Sequence, residues 1–171
     1  IKLAFTSSEG NEKVVDILRP GQSFGEAVMF MDKPYVVMAQ ALTDSALLHI
    51  GKQVLFEEIS NDPDFCHKII AGLSQRLHRL MGDVESYSLR SGRERIIGYL
   101  LREEELGSEC SGTGRVSIRL PTSKGTIASR LNLTQEHFSR ILHELTSSGL
   151  IEVEGRTIHI PDIERLRSSL D

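Results

Sequence analysis

Residues 126–151 constrain the fold most tightly, because they carry the pattern of two helices joined by a short turn. The apolar residues that would hold the first helix and the turn against a core are Ile127, Ala128, Leu131 and Leu133. The hydroxyl of Thr134 can cap the second helix, and Gly149 can adopt the left-handed conformation that ends it. Both ends of the second helix are therefore predicted from local chemistry.

The second helix is predicted to have one apolar side and one polar side. The apolar residues, which recur at helical spacing, are Phe138, Ile141, Leu142 and Leu145. The residues left on the other side are Gln135, Glu136, Ser139, Arg140 and His143. After Gly149, residues 150–153 and 157–160 flank a Glu154-Gly155 turn, which is typical of a short hairpin. Two helices followed at once by a hairpin predict a winged helix-turn-helix.

The polar side of the second helix has the chemistry to read bases in the major groove of DNA. Arg140 can bond O6 and N7 of guanine together, Glu136 can accept from the cytosine amine, and Ser139 can serve either base type. Further candidate DNA contacts are Gln135, Thr134 and Lys124. The alternative is an ordinary amphipathic helix with solvated charges, but the hairpin that follows favours DNA binding.

Residues 133–142 resemble the recognition helix of the CRP/FNR family of transcription regulators, and the spacing of Glu136, Ser139 and Arg140 is similar to that of the FNR branch. The cyclic-AMP branch has an additional arginine before the glutamate, whereas this chain has Gln135 there. The resemblance therefore implies half-sites of the TTGAT type rather than the TGTGA type. It also implies RNA polymerase as a partner.

Composition and charge are compatible with such a protein. In the 171 residues no apolar run reaches the roughly 18 residues of a membrane span, so no membrane partner is expected. Cys66 and Cys110 form no Cys-x-x-Cys pair, so a reducing cytoplasm is the expected compartment.

The acidic excess lies in residues 1–89, with 12 acidic and 8 basic residues, whereas residues 90–171 carry 12 of each. Because phosphate neutralisation supplies most non-specific affinity for DNA, we expect binding to depend on a local basic stripe. The stripe would comprise Arg119, Lys124, Arg130, Arg140 and Arg156.

Residues 1–60 are predicted to form short strands separated by turns, as in a β-sandwich or β-roll. The expected strands span residues 2–5, 14–18, 36–42 and 46–50. Their layout resembles the β-roll sensor domain of the CRP/FNR family, with residues 21–26 where nucleotide-binding members begin their phosphate cassette. Because the chain begins at Ile1, inside a predicted strand and without methionine, we expect a segment to precede it.

An effector is expected between the β-roll and the long helix that follows it. Candidate effector contacts are Gly25, Glu26, Tyr35, Leu73 and Leu77. In the nucleotide-binding relatives an arginine and a serine or threonine hold the cyclic phosphate, but Tyr35 and Val36 occupy those positions here. Without that counter-charge a buried phosphate is unfavourable, so cyclic AMP is not the expected effector.

The cofactor is left open by the sequence. Residues 26–41 resemble the Dnr-type regulators, whose proposed ligand is haem reporting nitric oxide, and haem is therefore one candidate. None of the six histidines has a diagnostic spacing for an axial ligand, and two scattered cysteines cannot hold an iron-sulfur cluster. No metal site is predicted.

A long helix over about residues 63–87 is predicted from apolar residues spaced alternately three and four apart. They are Ile70, Leu73, Leu77, Leu80, Val84 and Tyr87. A stripe of this width is typical of a two-stranded coiled coil, so a homodimer is predicted. Two recognition helices related by a two-fold axis would read a palindrome in major grooves about 34–36 Å apart.

The predicted architecture is α+β, with a β-roll sensor domain in residues 1–60, a dimerisation helix and hinge in 61–91 and a winged helix-turn-helix domain in 92–171. Residues 107–114, rich in Gly and Ser, are predicted to form a loop. The sequence carries no nucleophile elbow, metalloprotease helix or phosphate loop, so enzymatic activity is not expected. The alternative function is a module that binds a cyclic nucleotide or similar molecule without regulating DNA.

Overall fold

The computed structural model describes residues 1–31, 33–105, 109–111 and 115–170. Its N-terminal part is a three-stranded antiparallel sheet in the order β2-β1-β3, made of β1 (Lys2–Thr6), β2 (Glu12–Ile17) and β3 (Met38–Gln40). Leu3 and Ala4 of β1 and Val14 of β2 are buried. The Lys2 ammonium donates to both carboxylate oxygens of Glu12 at 2.7 Å, which ties β1 to β2 through a half-buried ion pair.

Two strand predictions for this part need correction. The strand expected over residues 36–42 is limited to β3, and the one expected over residues 46–50 is wrong. A β-strand forms only where its backbone pairs with a neighbouring strand, and among the described residues no strand pairs with residues 46–50. The alternating pattern alone therefore did not determine the structure.

Two helices lie in this same N-terminal part, where the sequence pattern predicts only strands. They are α1 (Glu26–Met31) and α2 (Lys52–Asn61). Helix α2 packs against the following helix and buries Leu55. The rings of Phe30 and Phe56 lie 5.4 Å apart between centroids, so α1 and α2 also contact one another.

The long helix α3 (Pro63–Leu89) is two residues longer than predicted at its C-terminal end. The Asp62 carboxylate caps it by accepting from the backbone N–H groups of Asp64 and Phe65, and Pro63 occupies its first turn. Its 27 residues span about 40 Å. Its one buried residue is the carboxylate Asp83, while five of the six residues of its predicted apolar stripe are exposed and Tyr87 is half-buried.

The C-terminal part is a second domain that begins at α4 (Gly92–Glu105) and contains a sheet in the order β4-β5-β7-β6. Its further elements are β4 (Glu109–Ser111), β5 (Arg115–Arg119), α5 (Lys124–Arg130), α6 (Gln135–Ser147), β6 (Glu152–Glu154), β7 (Thr157–Ile160) and α7 (Ile163–Ser168). The loop predicted over residues 107–114 contains β4, and the rest of it lies outside the described residues.

One apolar core holds the C-terminal domain together. The four inward-facing residues predicted for α6 are all buried: Phe138, Ile141, Leu142 and Leu145. They pack in one cluster with residues of α4, α5, the sheet and α7. Burying each such side chain is worth about 1.5–3 kcal/mol, so this cluster fixes how α5 and α6 are held.

The observed architecture confirms the α+β class. In the described part of the chain, no helix combines the length and the apolar character needed to cross a bilayer.

Candidate DNA-binding surface

The α5–turn–α6 unit is fixed by local contacts that the sequence encodes. Ser123 caps α5 by accepting from the backbone N–H of Thr126 at 3.1 Å. The Thr134 hydroxyl caps α6 by accepting from the backbone N–H of His137 at 3.2 Å. Gly149, at φ +67°, ends the unit in the left-handed region, as predicted.

The N-terminal ends of α5 and α6 approach each other closely at Gly125. A Cβ atom there would lie 2.9 Å from Oε1 of Gln135, so a larger residue would push the Gln135 side chain aside. Lys124 is half-buried beside this approach. Two of the predicted DNA contacts, Lys124 and Gln135, are thus brought to one end of the surface.

The polar side of α6 is exposed as predicted. Gln135, Glu136, Ser139 and Arg140 are exposed, opposite the buried apolar side. The Arg140 side chain is 69% exposed, and its Nε lies 3.9 Å from the Glu144 carboxylate. Such an exposed pair is weak, so the Arg140 guanidinium is available to a base edge. The surface presents a fork of donors, a carboxylate acceptor and a hydroxyl on one helix.

The hairpin of β6 and β7 stands beside this surface with charges of both signs. Arg156 in its turn is exposed, and its carbonyl accepts from the Leu120 backbone N–H at 2.9 Å. Arg119, at the end of β5, is also exposed and pairs in register with Thr157. Arg119 and Arg156 are therefore both exposed, as the predicted basic stripe requires.

Arg130 does not belong to that stripe, which corrects the expectation. Its guanidinium Nη2 lies 2.6 Å from the Asp83 carboxylate on α3, and only 17% of its side chain is exposed. Its Nη1 also donates to the Tyr87 hydroxyl at 2.6 Å. Tyr87, predicted to lie in the dimer stripe, is half-buried and uses its hydroxyl here. Charge counting missed this pairing because Asp83 and Tyr87 lie 47 and 43 residues away from Arg130 in the sequence.

A second candidate site is a cleft of about 270 Å³ between α3 and the loop before α1. Of the predicted effector contacts, Glu26 and Leu73 line it. Gly25 has φ +90°, which lets the loop turn toward the cleft. Leu77 is 61% exposed and does not line the cleft.

The cleft is dominated by an ion network that the sequence prediction missed. Arg76 on α3 lies 3.3 Å from the Glu26 carboxylate and 3.6 Å from the Asp16 carboxylate. Tyr35 lies beside this network, and burial raises the pKa of its phenol. The lining also holds the cations Lys68 and Arg79. The sequence features that could have predicted this network are the carboxylates of the N-terminal part and the arginines at helical spacing on α3.

The residues of this cleft do not fit haem. An axial ligand to haem iron is a histidine, cysteine, methionine or tyrosine side chain. The described residues that line the cleft include none of these. Nor do the described residues group three or more metal-ligating side chains anywhere in the fold.

Comparison with known proteins separates the chain into two matched regions. Residues 1–62 match the profile of the cyclic nucleotide-binding domain, and residues 94–169 match that of the Crp-like helix-turn-helix domain. Helix α3 lies between the two regions.

Relatives of known description match almost the whole chain. A CRP-like cAMP-activated global transcriptional regulator of Mycobacterium tuberculosis is 24% identical over 97% of this chain and 74% of its own length. The regulatory protein HlyX of Actinobacillus pleuropneumoniae is 28% identical over 97% of this chain and 68% of its own length. A solved structure of a Ruegeria pomeroyi protein is 32% identical to this chain, with a TM-score of 0.67, and the match covers 99% of this chain and 72% of that one.

Proposed function

The chain belongs to the CRP/FNR family of transcription regulators, and from this premise we propose that it acts as a homodimer that reads a palindromic operator through α6. The observation that carries the proposal is the exposed side of α6, where Glu136, Ser139 and Arg140 stand together opposite a buried apolar side. Arg140 reads a guanine, Glu136 accepts from a cytosine amine, and Ser139 contacts an adjacent base.

The half-site that we propose is TTGAT. Gln135 stands where the cyclic-AMP branch has an additional arginine, so only one guanidinium, that of Arg140, projects from this part of α6 toward the bases. Lys124 and Thr134 at the helix N-terminal ends then lie near the phosphates, where backbone N–H groups also favour negative charge. RNA polymerase is proposed as the partner on the DNA.

The dimer is supported by the apolar stripe of α3. Its exposed members are Ile70 at 54%, Leu73 at 40%, Leu77 at 61%, Leu80 at 41% and Val84 at 64%. They recur at heptad spacing along one side of the helix, and a contiguous exposed stripe of this kind marks a contact surface. A second copy of α3 would bury it and place the two copies of α6 on one face of the DNA.

The cleft between α3 and the loop before α1 is the proposed effector site. Its lining combines charged side chains with the apolar side chains of Leu18, Ile69 and Leu73, which favours a small effector that has both polar and apolar groups. Its Arg76 is already paired with Asp16 and Glu26. Cyclic AMP is disfavoured, because no cassette arginine is present to compensate its phosphate. Effector binding would shift the population between two arrangements of the domains.

Selection from a random duplex library, followed by titration of the selected duplexes, tests the proposal. We expect enrichment of palindromes with TTGAT-type half-sites and a dimer in sedimentation experiments. Enrichment of TGTGA half-sites would overturn the proposed specificity. Saturable binding of cyclic AMP in calorimetry together with no enriched duplex would favour the alternative of a ligand-binding module.

A further inference from the structure

The C-terminal domain does not share an apolar core with the rest of the chain. Among the described residues, its core cluster and the partly buried residues packed on it lie between Ile96 and Leu170. The contacts that join this domain to α3 and β2 include a buried ion pair and several hydrogen bonds. The position of α6 relative to α3 therefore depends on polar groups with strict geometry.

The central contact is a clamp formed by Asp83, Tyr87 and Arg130. The Arg130 guanidinium donates to the Asp83 carboxylate and to the Tyr87 hydroxyl, each at 2.6 Å. The Tyr87 hydroxyl in turn donates to the backbone carbonyl of Arg130. Both the side chain and the backbone at the end of α5 are thus held by two residues one helical turn apart on α3.

The neighbouring residues hold the same end of α5 from two more directions. The Ser129 hydroxyl accepts from the Val14 backbone N–H at 2.9 Å, and the Ser129 carbonyl accepts from the Lys13 ammonium. Arg95 on α4 donates to the carbonyls of Leu131 at 2.9 Å and Asn132 at 3.1 Å. The turn between α5 and α6 is therefore fixed relative to α3, β2 and α4 together.

A buried ion pair is weak evidence for stability, but it can select one geometry over others. Asp83 is the buried residue of α3, and its side chain is 9% exposed. In a dimer built on α3, any movement of α5 relative to α3 would occur in both protomers and would displace both recognition helices. The clamp is thus placed where it controls the separation of the two recognition helices.

We propose that Asp83, Tyr87 and Arg130 are positioning residues that make operator binding selective for the spacing between half-sites. This inference rests on the proposed function, a homodimer on a palindrome. One added base pair rotates a half-site by about a tenth of a turn about the DNA axis and moves it along that axis. Two recognition helices that are held rigidly cannot follow this change, whereas two helices that can move relative to α3 can follow it.

The test uses duplexes with two identical half-sites at the selected spacing and at spacings one base pair longer or shorter. For the unsubstituted protein we expect the affinity at the altered spacings to be at least roughly tenfold lower than at the selected spacing, comparable to losing one base contact. For Asp83→Asn and, independently, for Tyr87→Phe we expect this difference in affinity to fall to about threefold or less. Circular dichroism and sedimentation establish that each variant is folded and dimeric.

Glu85→Gln is the matched control, because it removes the same charge from the same helix. Glu85 pairs with Arg90 at 3.3 Å with both side chains about half exposed, and it lies outside the clamp. The loss of affinity of the Glu85→Gln protein at the altered spacings is expected to equal that of the unsubstituted protein.

The inference is overturned if the clamp variants lose affinity equally at every spacing, or if they bind more tightly at every spacing. It is also overturned if the unsubstituted protein binds palindromes without a spacing preference. Failure of the unsubstituted protein to bind any palindrome is a different result, because it rejects the proposed function itself.

Discussion

Arg140 and Glu144 lie one helical turn apart on the exposed side of α6, with the guanidinium Nε 3.9 Å from the carboxylate Oε1. Their side chains are 69% and 57% exposed, so water screens the pair and little free energy is lost when a base replaces the carboxylate.

The first prediction concerns Arg140→Ala. We expect it to weaken binding by about 1–3 kcal/mol on duplexes that carry the proper guanine, and much less on random duplexes, because the lost contact is to a base. Fluorescence anisotropy measures the binding free energy on both kinds of duplex. Glu144→Gln, the control on the same helix, should keep the preference for guanine. Equal weakening by Arg140→Ala on all duplexes would show that Arg140 contacts phosphate instead.

The second prediction concerns Leu77→Lys. Leu77 is 61% exposed in the apolar stripe of α3, so a charge there would be buried against the partner helix without compensation. We expect the dimer and palindrome binding to be lost together, while circular dichroism shows an unchanged fold. His78→Lys, one residue away and outside the stripe, should remain dimeric. A dimeric Leu77→Lys protein would place the dimer contact elsewhere.

The third prediction concerns pH and Lys13. Burial, followed by the nearby charges of Arg130 and Arg95, lowers the pKa of Lys13 from 10.5 to about 8, with Asp83 acting in the opposite direction. Above about pH 8 the folded protein therefore binds fewer protons than the unfolded chain, and the free energy of unfolding gains a contribution that rises with pH.

Burial raises the pKa of the Tyr87 phenol above its usual value, so the titration of Lys13 is not accompanied by that of Tyr87 over this range. The test compares denaturant unfolding at several pH values between about 7 and 9.5 for the unsubstituted protein and Lys13→Met. As the pH rises above about 8, the free energy of unfolding of the unsubstituted protein should increase relative to that of Lys13→Met, because the cost of the buried charged ammonium is lost as it deprotonates. A free energy of unfolding that falls relative to that of Lys13→Met over this range would contradict the lowered pKa of Lys13.

The fourth prediction concerns the cap of α6. Thr134→Ala removes the acceptor for the His137 backbone N–H, so we expect the free energy of unfolding to fall by about 1 kcal/mol. Thr134→Ser keeps the acceptor and should change stability far less. Chemical denaturation measures both, and equal losses for the two variants would mean that the methyl group, not the hydroxyl, matters.

The sequence predicted the α6 region well because its signals are local. The capping hydroxyl of Thr134, the left-handed Gly149 and the spacing of Phe138, Ile141 and Leu145 each act within one or two helical turns. Such signals do not depend on what the rest of the chain does. The exposure of the polar side of α6 followed directly from them.

The errors arose where structure depends on distant partners. Residues 46–50 have a strand-like pattern, but a strand also needs a neighbour, which the pattern cannot supply. Arg130 was counted as a DNA-facing charge, although Asp83 and Tyr87 pair with it from another helix. The Arg76 network with Asp16 and Glu26 is likewise formed between distant residues.

The self-contained core of the C-terminal domain has an evolutionary consequence. A gene rearrangement could join this unit to an unrelated input domain without repacking any interior side chain, since the interior already closes on itself. The surface contacts of Ser129, Arg130 and Glu103 are among those that would have to be made again for the new junction. New signals could therefore be recruited to an old operator by exchange of whole modules, with the base-reading helix left untouched.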